Sequence, residues 1–199
     1  MIDAILIVGA YLLGSISTAI LVSRLAGIGD PRDLGSGNPG ATNILRLGGI
    51  LPATATIFGD ILKGALPVLL ARIIAENDAT IPACLVAAFL GHLFPLFFQF
   101  RGGKGVATAF GGLMAISWQL GLSVAIVWIV VAFISRYSSL ASILSALAAP
   151  LISYAFGQTA VYIVATALVS SLLIRCHKTN IERLLTKSES KIGAKDGRP

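Results

Sequence analysis

The sequence predicts an all-α integral membrane protein, a bundle of seven transmembrane helices, and three observations carry that expectation. Of 199 residues, 56% are hydrophobic and only 12% charged, with a mean hydropathy of +0.88, beyond what a soluble globular domain carries. Apolar runs of spanning length follow one another along nearly the whole chain. Laid across a bilayer, those runs sort the positive charges to one side.

A helix needs about 20 residues to cross the hydrocarbon core. Residues 4–23 are uncharged and meet that length. The start, Met1-Ile2-Asp3, lacks the basic region of a cleavable signal peptide, so this first run is expected to remain as a span. The second run, about residues 50–71, contains Asp60 and Lys63; the third, 79–99, has His92 as its one ionisable side chain. The uncharged stretch 105–135 is too long for one straight crossing. It is interrupted at Gly111-Gly112 and again at Ser117-Trp118-Gln119, which gives a short fourth helix and a normal fifth. Residues 137–174 divide at Phe156-Gly157-Gln158-Thr159 into the sixth and seventh. One domain, 1–199, is expected, with residues from about 185 onward as a polar cytoplasmic tail. Cys84 and Cys176 make no disulfide framework and read as small apolar fillers.

Seven spans put the termini on opposite sides. With the N-terminus outside, the inner face collects Arg24, Arg32, Arg46, Arg101, Lys104, Arg136, Arg175, Lys178, Arg183, Lys187, Lys191, Lys195 and Arg198, thirteen of the fifteen lysines and arginines. Arg72 alone stays outside and Lys63 within the membrane. The orientation expected is therefore N-terminus outside and C-terminus cytoplasmic.

This topology gathers the glycine-rich and polar irregularities on the cytoplasmic face, with one or more short helices there. In the first inner loop, SGNPGATN (36–43) combines hydroxyls, amides and glycines without a charge. Asn38 before Pro39 suits a helix N-cap, so a short helix is expected from Pro39 to Leu47, with Thr42, Asn43 and Arg46 on one face. Ser36, Gly37 and Asn38 stand at its start, where free amides and the dipole favour an anion. The plain alternative is an interfacial loop whose amides meet water.

RGGKG, with Gly102, Gly103, Lys104 and Gly105, precedes the short fourth helix, so backbone donors and one ammonium can converge on a phosphate. It is not a Walker A sequence, because the spacing and the βαβ context are missing, which argues against nucleotide hydrolysis. After the seventh span, His177, Asn180 and Arg183 recur every third residue on one helical stripe. A histidine there suits proton transfer near neutrality. Asp60 and Lys63, at i and i+3 inside the second span, are expected to neutralise each other in a structural role, and His92 is read as structural too.

These residues offer cations, amides, hydroxyls and one histidine, but almost no carboxylates. That inventory argues against a phosphotransferase whose acidic residues hold Mg²⁺ and for direct binding of phosphate groups. Two classes remain: group transfer onto a soluble phosphate ester at the inner leaflet, or a membrane carrier for a phosphate or organophosphate anion. The carrier would need polar groups through the outer half of the bundle, usually on discontinuous helices in related halves.

SGNPGATN with Leu45-Arg46, GDILKG (59–64), RGGKGVAT (101–108), RYSSLAS (136–142) and HKTNIERL (177–184), in that order in seven spans, closely resemble the bacterial acyl-phosphate:glycerol-3-phosphate acyltransferases, the PlsY family. One mild departure is Lys178, where that family often has arginine. The resemblance implies transfer of an acyl group from acyl phosphate to the sn-1 hydroxyl of glycerol 3-phosphate. The products would be lysophosphatidic acid and phosphate, in the first step of phospholipid synthesis. It also implies a separate soluble acyltransferase as donor supplier and a bacterial inner-membrane location.

Mapped onto this chain, the resemblance places the first motif's essential residues at Ser36 and Arg46 and the glycerol 3-phosphate loop at Gly102, Gly103, Lys104 and Gly105. His177 and Asn180 fall on the third motif, and Glu182 on its structurally required glutamate. Expected catalytic residues are His177, Asn180, Lys104 and Ser142. Ser36, Gly37, Asn38, Asn43, Arg46 and the glycine loop are expected to bind substrate. No metal, cofactor or nucleic acid is expected, and the protein should act as a monomer among membrane lipids. An acyl phosphate is already activated, so no covalent intermediate is needed; Asn180 and Ser142 would orient the hydroxyl or support the oxyanion. The proton passes either to His177 or to a phosphate oxygen.

Overall fold

The computed structural model describes residues 1–193; Lys195 and Arg198, assigned above to the inner face, lie outside the described residues. Among the described residues the regular structure is entirely helical. In chain order the helices are α1 (Ile2–Gly14), α2 (Thr18–Leu25), α3 (Ala41–Gly48), α4 (Ile50–Ile74) and α5 (Thr80–Leu93). After a 3₁₀ turn at Leu96–Phe98 come α6 (Val106–Ile116), α7 (Trp118–Ser135), α8 (Ser138–Ala155), α9 (Ala160–Cys176) and α10 (Lys178–Leu185).

By length and hydropathy, Ile2–Leu25, Thr80–Phe98, Trp118–Ser135 and Ser138–Ala155 are able to cross a membrane. The pair α9 and α10, bent by 57° between them, adds a fifth. Since α10 carries Lys178, Glu182 and Arg183, the apolar α9 is the crossing part, and His177 lies past its end. Of the other two expected crossings, α4 has its hydropathy lowered by Asp60, Lys63 and Arg72, and α6 has only 11 residues.

The surface is built for an apolar solvent. Ile73, Phe133, Ile134, Leu151 and Val164 point outward, while Asp60, Lys63, His92 and several serines and threonines are buried. Phe89, Leu85, Val68, Leu120 and Val169 join α4, α5, α7 and α9 in the core.

Two features depart from the expected helix pattern. The first apolar run is broken at Ser15-Ile16-Ser17, between α1 and α2. The break frees the Ile16 carbonyl, which accepts from the Lys63 ammonium at 2.8 Å, and lets the Thr18 hydroxyl donate to Asp60 Oδ1 at 2.6 Å. With the Lys63–Asp60 ion pair at 2.9 Å, the buried charges of α4 are neutralised by each other and bonded to the broken helix. The mutual neutralisation expected from the sequence is what these contacts give.

Gly111-Gly112 do not interrupt the fourth helix but lie inside α6; the break is at Ser117, whose hydroxyl accepts from the Leu120 amide. Their role is close packing. A Cβ on Gly111 would stand 2.1 Å from the Ile61 carbonyl oxygen, and one on Gly64 the same distance from that of Thr108. Helices α4 and α6 therefore touch backbone to backbone, as small residues permit in lipid.

Candidate active site

The loop between α2 and α3 is organised from within by Asn43. Its amide nitrogen donates to the carbonyls of Pro31 and Leu34, both at 3.0 Å, and its oxygen accepts from the Ser36 amide at 3.0 Å. Asn43 is 1% exposed, with both amide hydrogens donated to the loop and its oxygen accepting from it. Expected among the substrate-binding residues, Asn43 is bonded within the loop that carries Ser36. The short helix is also shifted. It begins at Ala41 with Gly40 in the cap position and no side-chain cap, so Asn38 is not the N-cap. It ends as expected at Gly48-Gly49, where Gly49 has φ +82°. Ser36, Gly37 and Arg46 are exposed and Asn38 half-buried.

The second loop is held against the first. Arg32 Nη1 donates to the Phe98 carbonyl at 3.1 Å, and its guanidinium is clasped by Asp30 at 2.6 Å. Gly103 lies between the two loops and α5: a Cβ there would meet His92 Nε2 at 2.5 Å and the Pro39 carbonyl at 3.1 Å. The Gly103 amide donates to the His92 carbonyl at 3.2 Å, so it is not free for an anion. Among the described residues, the amides of Gly102, Lys104 and Gly105 donate to no backbone acceptor. Gly105, at φ +77°, packs on the Phe89 ring and starts α6. His92 supports this loop from beneath: Thr108 Oγ1 lies 3.1 Å from its Nδ1 and Asp60 Oδ1 3.8 Å. His92 thus packs directly against the glycine loop, with Asp60 behind it.

The third part comes from the bend after α9. His177, 3% exposed, places Nδ1 2.8 Å from the Leu173 carbonyl. A proton on Nδ1 makes that hydrogen bond and leaves Nε2 as the free lone pair. Three residues on, Asn180 Oδ1 accepts from the Lys104 ammonium, joining α10 to the glycine loop. Its Nδ2 donates to Glu189 Oε1 at 2.7 Å, and Ser139 on α8 donates to the same oxygen at 2.6 Å. Arg183 Nε donates to Glu189 Oε2 at 2.8 Å.

These contacts point to the protein's relatives. A family model described as glycerol-3-phosphate acyltransferase matches residues 4–187. The chain belongs to the glycerol-3-phosphate acyltransferase family. A relative named glycerol-3-phosphate acyltransferase from Methylococcus capsulatus is 49% identical over 194 residues, covering 98% of each chain. One of the same name from Thioalkalivibrio sulfidiphilus is 50% identical over 190 residues, covering 96% of this chain and 94% of the relative. The fold matches the crystal structure of PlsY (YgiH), an integral membrane glycerol 3-phosphate acyltransferase. Its glycerol 3-phosphate form is superposable with a TM-score of 0.93 at 38% identity, and its lysophosphatidic acid form with 0.90 at 36%. Both comparisons cover 97% of this chain and 96% of the other. The resemblance read from the five motifs is thus established, and the carrier class gives way to an integral membrane acyltransferase acting on glycerol 3-phosphate.

Within this acyltransferase the electrostatics are set by Lys104 and its surroundings. Burial, then the nearby Arg183 charge, brings its ammonium below the ordinary lysine range, with Glu189 acting in the opposite direction; Arg46 is near enough to add to the lowering. His177 is pushed down to about 4, mainly by burial and in part by Lys104, against the Leu173 hydrogen bond and Glu189, which favour the proton. The imidazole is therefore neutral at physiological pH.

Lys104 is bonded to Asn180, and Arg46 and His177 lie near enough for their surroundings to be coupled to its charge. Among the described residues Ser142 makes no hydrogen bond to them: its hydroxyl donates to the Ser138 carbonyl at 2.8 Å and accepts from the Trp128 indole at 3.0 Å, tying α7 to α8. The serine of RYSSLAS that reaches the cluster is Ser139, one turn earlier. Glu182 is exposed and, among the described residues, its carboxylate makes no hydrogen bond or ion pair; the glutamate bound into the site is Glu189. Nothing in its KSESK context distinguishes it from a solvated tail residue.

Proposed function

We propose that the acyl donor of this glycerol-3-phosphate acyltransferase is an acyl phosphate, and that transfer is direct. The sn-1 hydroxyl oxygen of glycerol 3-phosphate attacks the acyl carbonyl carbon, the carbon–oxygen bond to phosphate breaks, and 1-acyl-glycerol 3-phosphate and inorganic phosphate leave. The observation that carries this reading is the convergence of Lys104 with Asn180 beside two glycine-rich loops, where cations and unpaired amides favour phosphate groups.

In this reading Lys104, Arg46 and the amides of Gly102, Lys104 and Gly105 hold the two phosphates. Ser36, with Gly37 and Asn38, supplies the wall contributed by the first loop. Asn180 orients the hydroxyl and supports the carbonyl oxygen as it gains charge. Asn43, Gly103 and Ser142 act as supports of that site. The proton of the attacking hydroxyl goes to a phosphate oxygen rather than to His177. A bound phosphate is already an anion beside the attacking hydroxyl, whereas burial pushes the His177 imidazole down to about 4 and so weakens it as a proton acceptor. His177 then serves as a neutral hydrogen-bonding group.

The protein crosses the bacterial inner membrane seven times, with the N-terminus outside and the site facing the cytoplasm. The sidedness of the lysines and arginines supports this orientation. A soluble acyltransferase provides the acyl phosphate, and the protein acts as a monomer. The test is purified protein supplied with glycerol 3-phosphate and either acyl phosphate or acyl-CoA. Phosphate release matched by lysophosphatidate formation is expected with acyl phosphate alone; product formed only from acyl-CoA would overturn the assignment.

A further inference from the structure

We infer that His92 is a positioning residue of this enzyme: its ring, held from behind by Thr108 and Asp60, fixes the glycine loop in the conformation that leaves its amides open to a phosphate. The inference rests on the reading of that loop as a holder of the glycerol 3-phosphate phosphate. An imidazole near the end of an apolar span is costly, and a phenylalanine would fill a similar space at less expense. Helix α5 ends at Leu93, and Pro95 has no N–H with which to continue it. Its last carbonyls are left without an intrahelical partner, and the Gly103 amide donates to that of His92 at 3.2 Å.

The loop follows this helix end closely. A Cβ on Gly102 would run into the His92 and Leu93 carbonyls, and one on Gly103 would stand 2.5 Å from His92 Nε2. At the other edge of the ring, Thr108 Oγ1 lies 3.1 Å from Nδ1 and Asp60 Oδ1 3.8 Å. Thr108 belongs to the first turn of α6, the helix that the loop opens. One imidazole therefore touches both the loop and the helix into which it runs.

Asp60 is itself fixed. It accepts from Lys63 at 2.9 Å and from the Thr18 hydroxyl at 2.6 Å, and Lys63 also donates to the Ile16 carbonyl at 2.8 Å. A chain of contacts thus runs from the α1–α2 break, through the intramembrane ion pair, to the imidazole and the glycine loop. Asp60, Lys63, His92 and Thr108 are all buried, where bonded polar groups have few alternative arrangements. With phenylalanine at position 92 the Thr108 contact is lost and the ring has no polar edge. The loop regains freedom, which phosphate binding must then remove.

The test uses full-length wild type, His92→Phe, His92→Asn and Gly103→Ala, reconstituted and corrected for folded protein. Glycerol 3-phosphate binding is measured by calorimetry without donor, and kcat and the KM of each substrate by steady-state kinetics. For His92→Phe a rise of roughly tenfold in Kd and KM for glycerol 3-phosphate is expected, the scale of one buried hydrogen bond lost. The acyl phosphate KM and kcat should change far less, the pattern of weakened ground-state binding. His92→Asn keeps an amide near the place of Nδ1 and should recover most of the affinity. If His92→Phe does not fold, Thr108→Val, which removes the hydroxyl bonded to Nδ1, carries the test with a smaller rise in the same KM. Unchanged glycerol 3-phosphate affinity, or an equal loss for both substrates, would overturn the inference. Gly103→Ala reads the loop directly. If it leaves glycerol 3-phosphate affinity intact, the reading of the loop fails and the inference with it; a loss in Gly103→Ala without one in His92→Phe overturns the role of His92 alone.

Discussion

The Lys104 ammonium donates to the side-chain oxygen of Asn180, 76 positions further along the chain. One bond thus ties the loop that opens α6 to the helix that follows α9, and a phosphate held there would touch both. Removing either partner should reduce kcat/KM by about 100-fold for Lys104→Ala and somewhat less for Asn180→Ala, the scale of charge-assisted hydrogen bonds lost in a desolvated site. Steady-state kinetics on the two variants and their double mutant check this; a double mutant no worse than Lys104→Ala is the expected sign of coupling.

Gly103 offers a geometric test. A methyl group there would stand 2.5 Å from His92 Nε2 and 3.1 Å from the Pro39 carbonyl, so the loop must move. Gly103→Ala is expected to lose activity by about 10- to 100-fold, the cost of misplacing reacting groups by an ångström or so. Gly157→Ala is the control. At φ +68° with nothing within 4 Å, it should cost about 1 kcal/mol of stability through backbone strain, with activity per folded molecule unchanged.

The parts of this site that the sequence displayed were those whose residue types are out of place in lipid. Lys104 among glycines, Asn180 beside His177, and Asp60 three residues before Lys63 each break an apolar background, and each proved to be engaged. What it concealed was set by tertiary partners. The break at Ser15–Ser17 lies in an uncharged run and exists where Lys63 and Asp60 bind its freed groups. Asn43 and Ser142 looked available, but backbone carbonyls and the Trp128 indole occupy them. Glu189 sits in a polar segment, and only the fold brings it to Asn180.

The buried pair in α4 predicts an asymmetry. Asp60→Asn leaves the Lys63 charge with no carboxylate in a nearly solvent-free position, and should destabilise by about 3–5 kcal/mol. The double variant Asp60→Asn with Lys63→Met removes both charges and should recover a substantial part. Thermal unfolding in detergent, for wild type and the two variants, reads the difference.

His177 makes stability depend on pH in a defined window. Its folded value, about 4, lies below the ordinary value of 6.5. The unfolded chain therefore binds the proton more readily, and the associated stability is present above 6.5 and lost as pH falls towards 4. His177→Gln should flatten this slope between pH 6.5 and 4 in thermal unfolding. Activity should survive in that variant to a greater extent than in Lys104→Ala, since the proton goes to phosphate.

The most direct measurement is the stoichiometry and rate of acyl phosphate consumption by reconstituted wild type and Lys104→Ala with glycerol 3-phosphate as acceptor. The account predicts one phosphate released per lysophosphatidate formed by wild type, and a rate lower by about 100-fold in the variant. Equal rates in the two proteins, or lysophosphatidate made by wild type without acyl phosphate consumption, would contradict it.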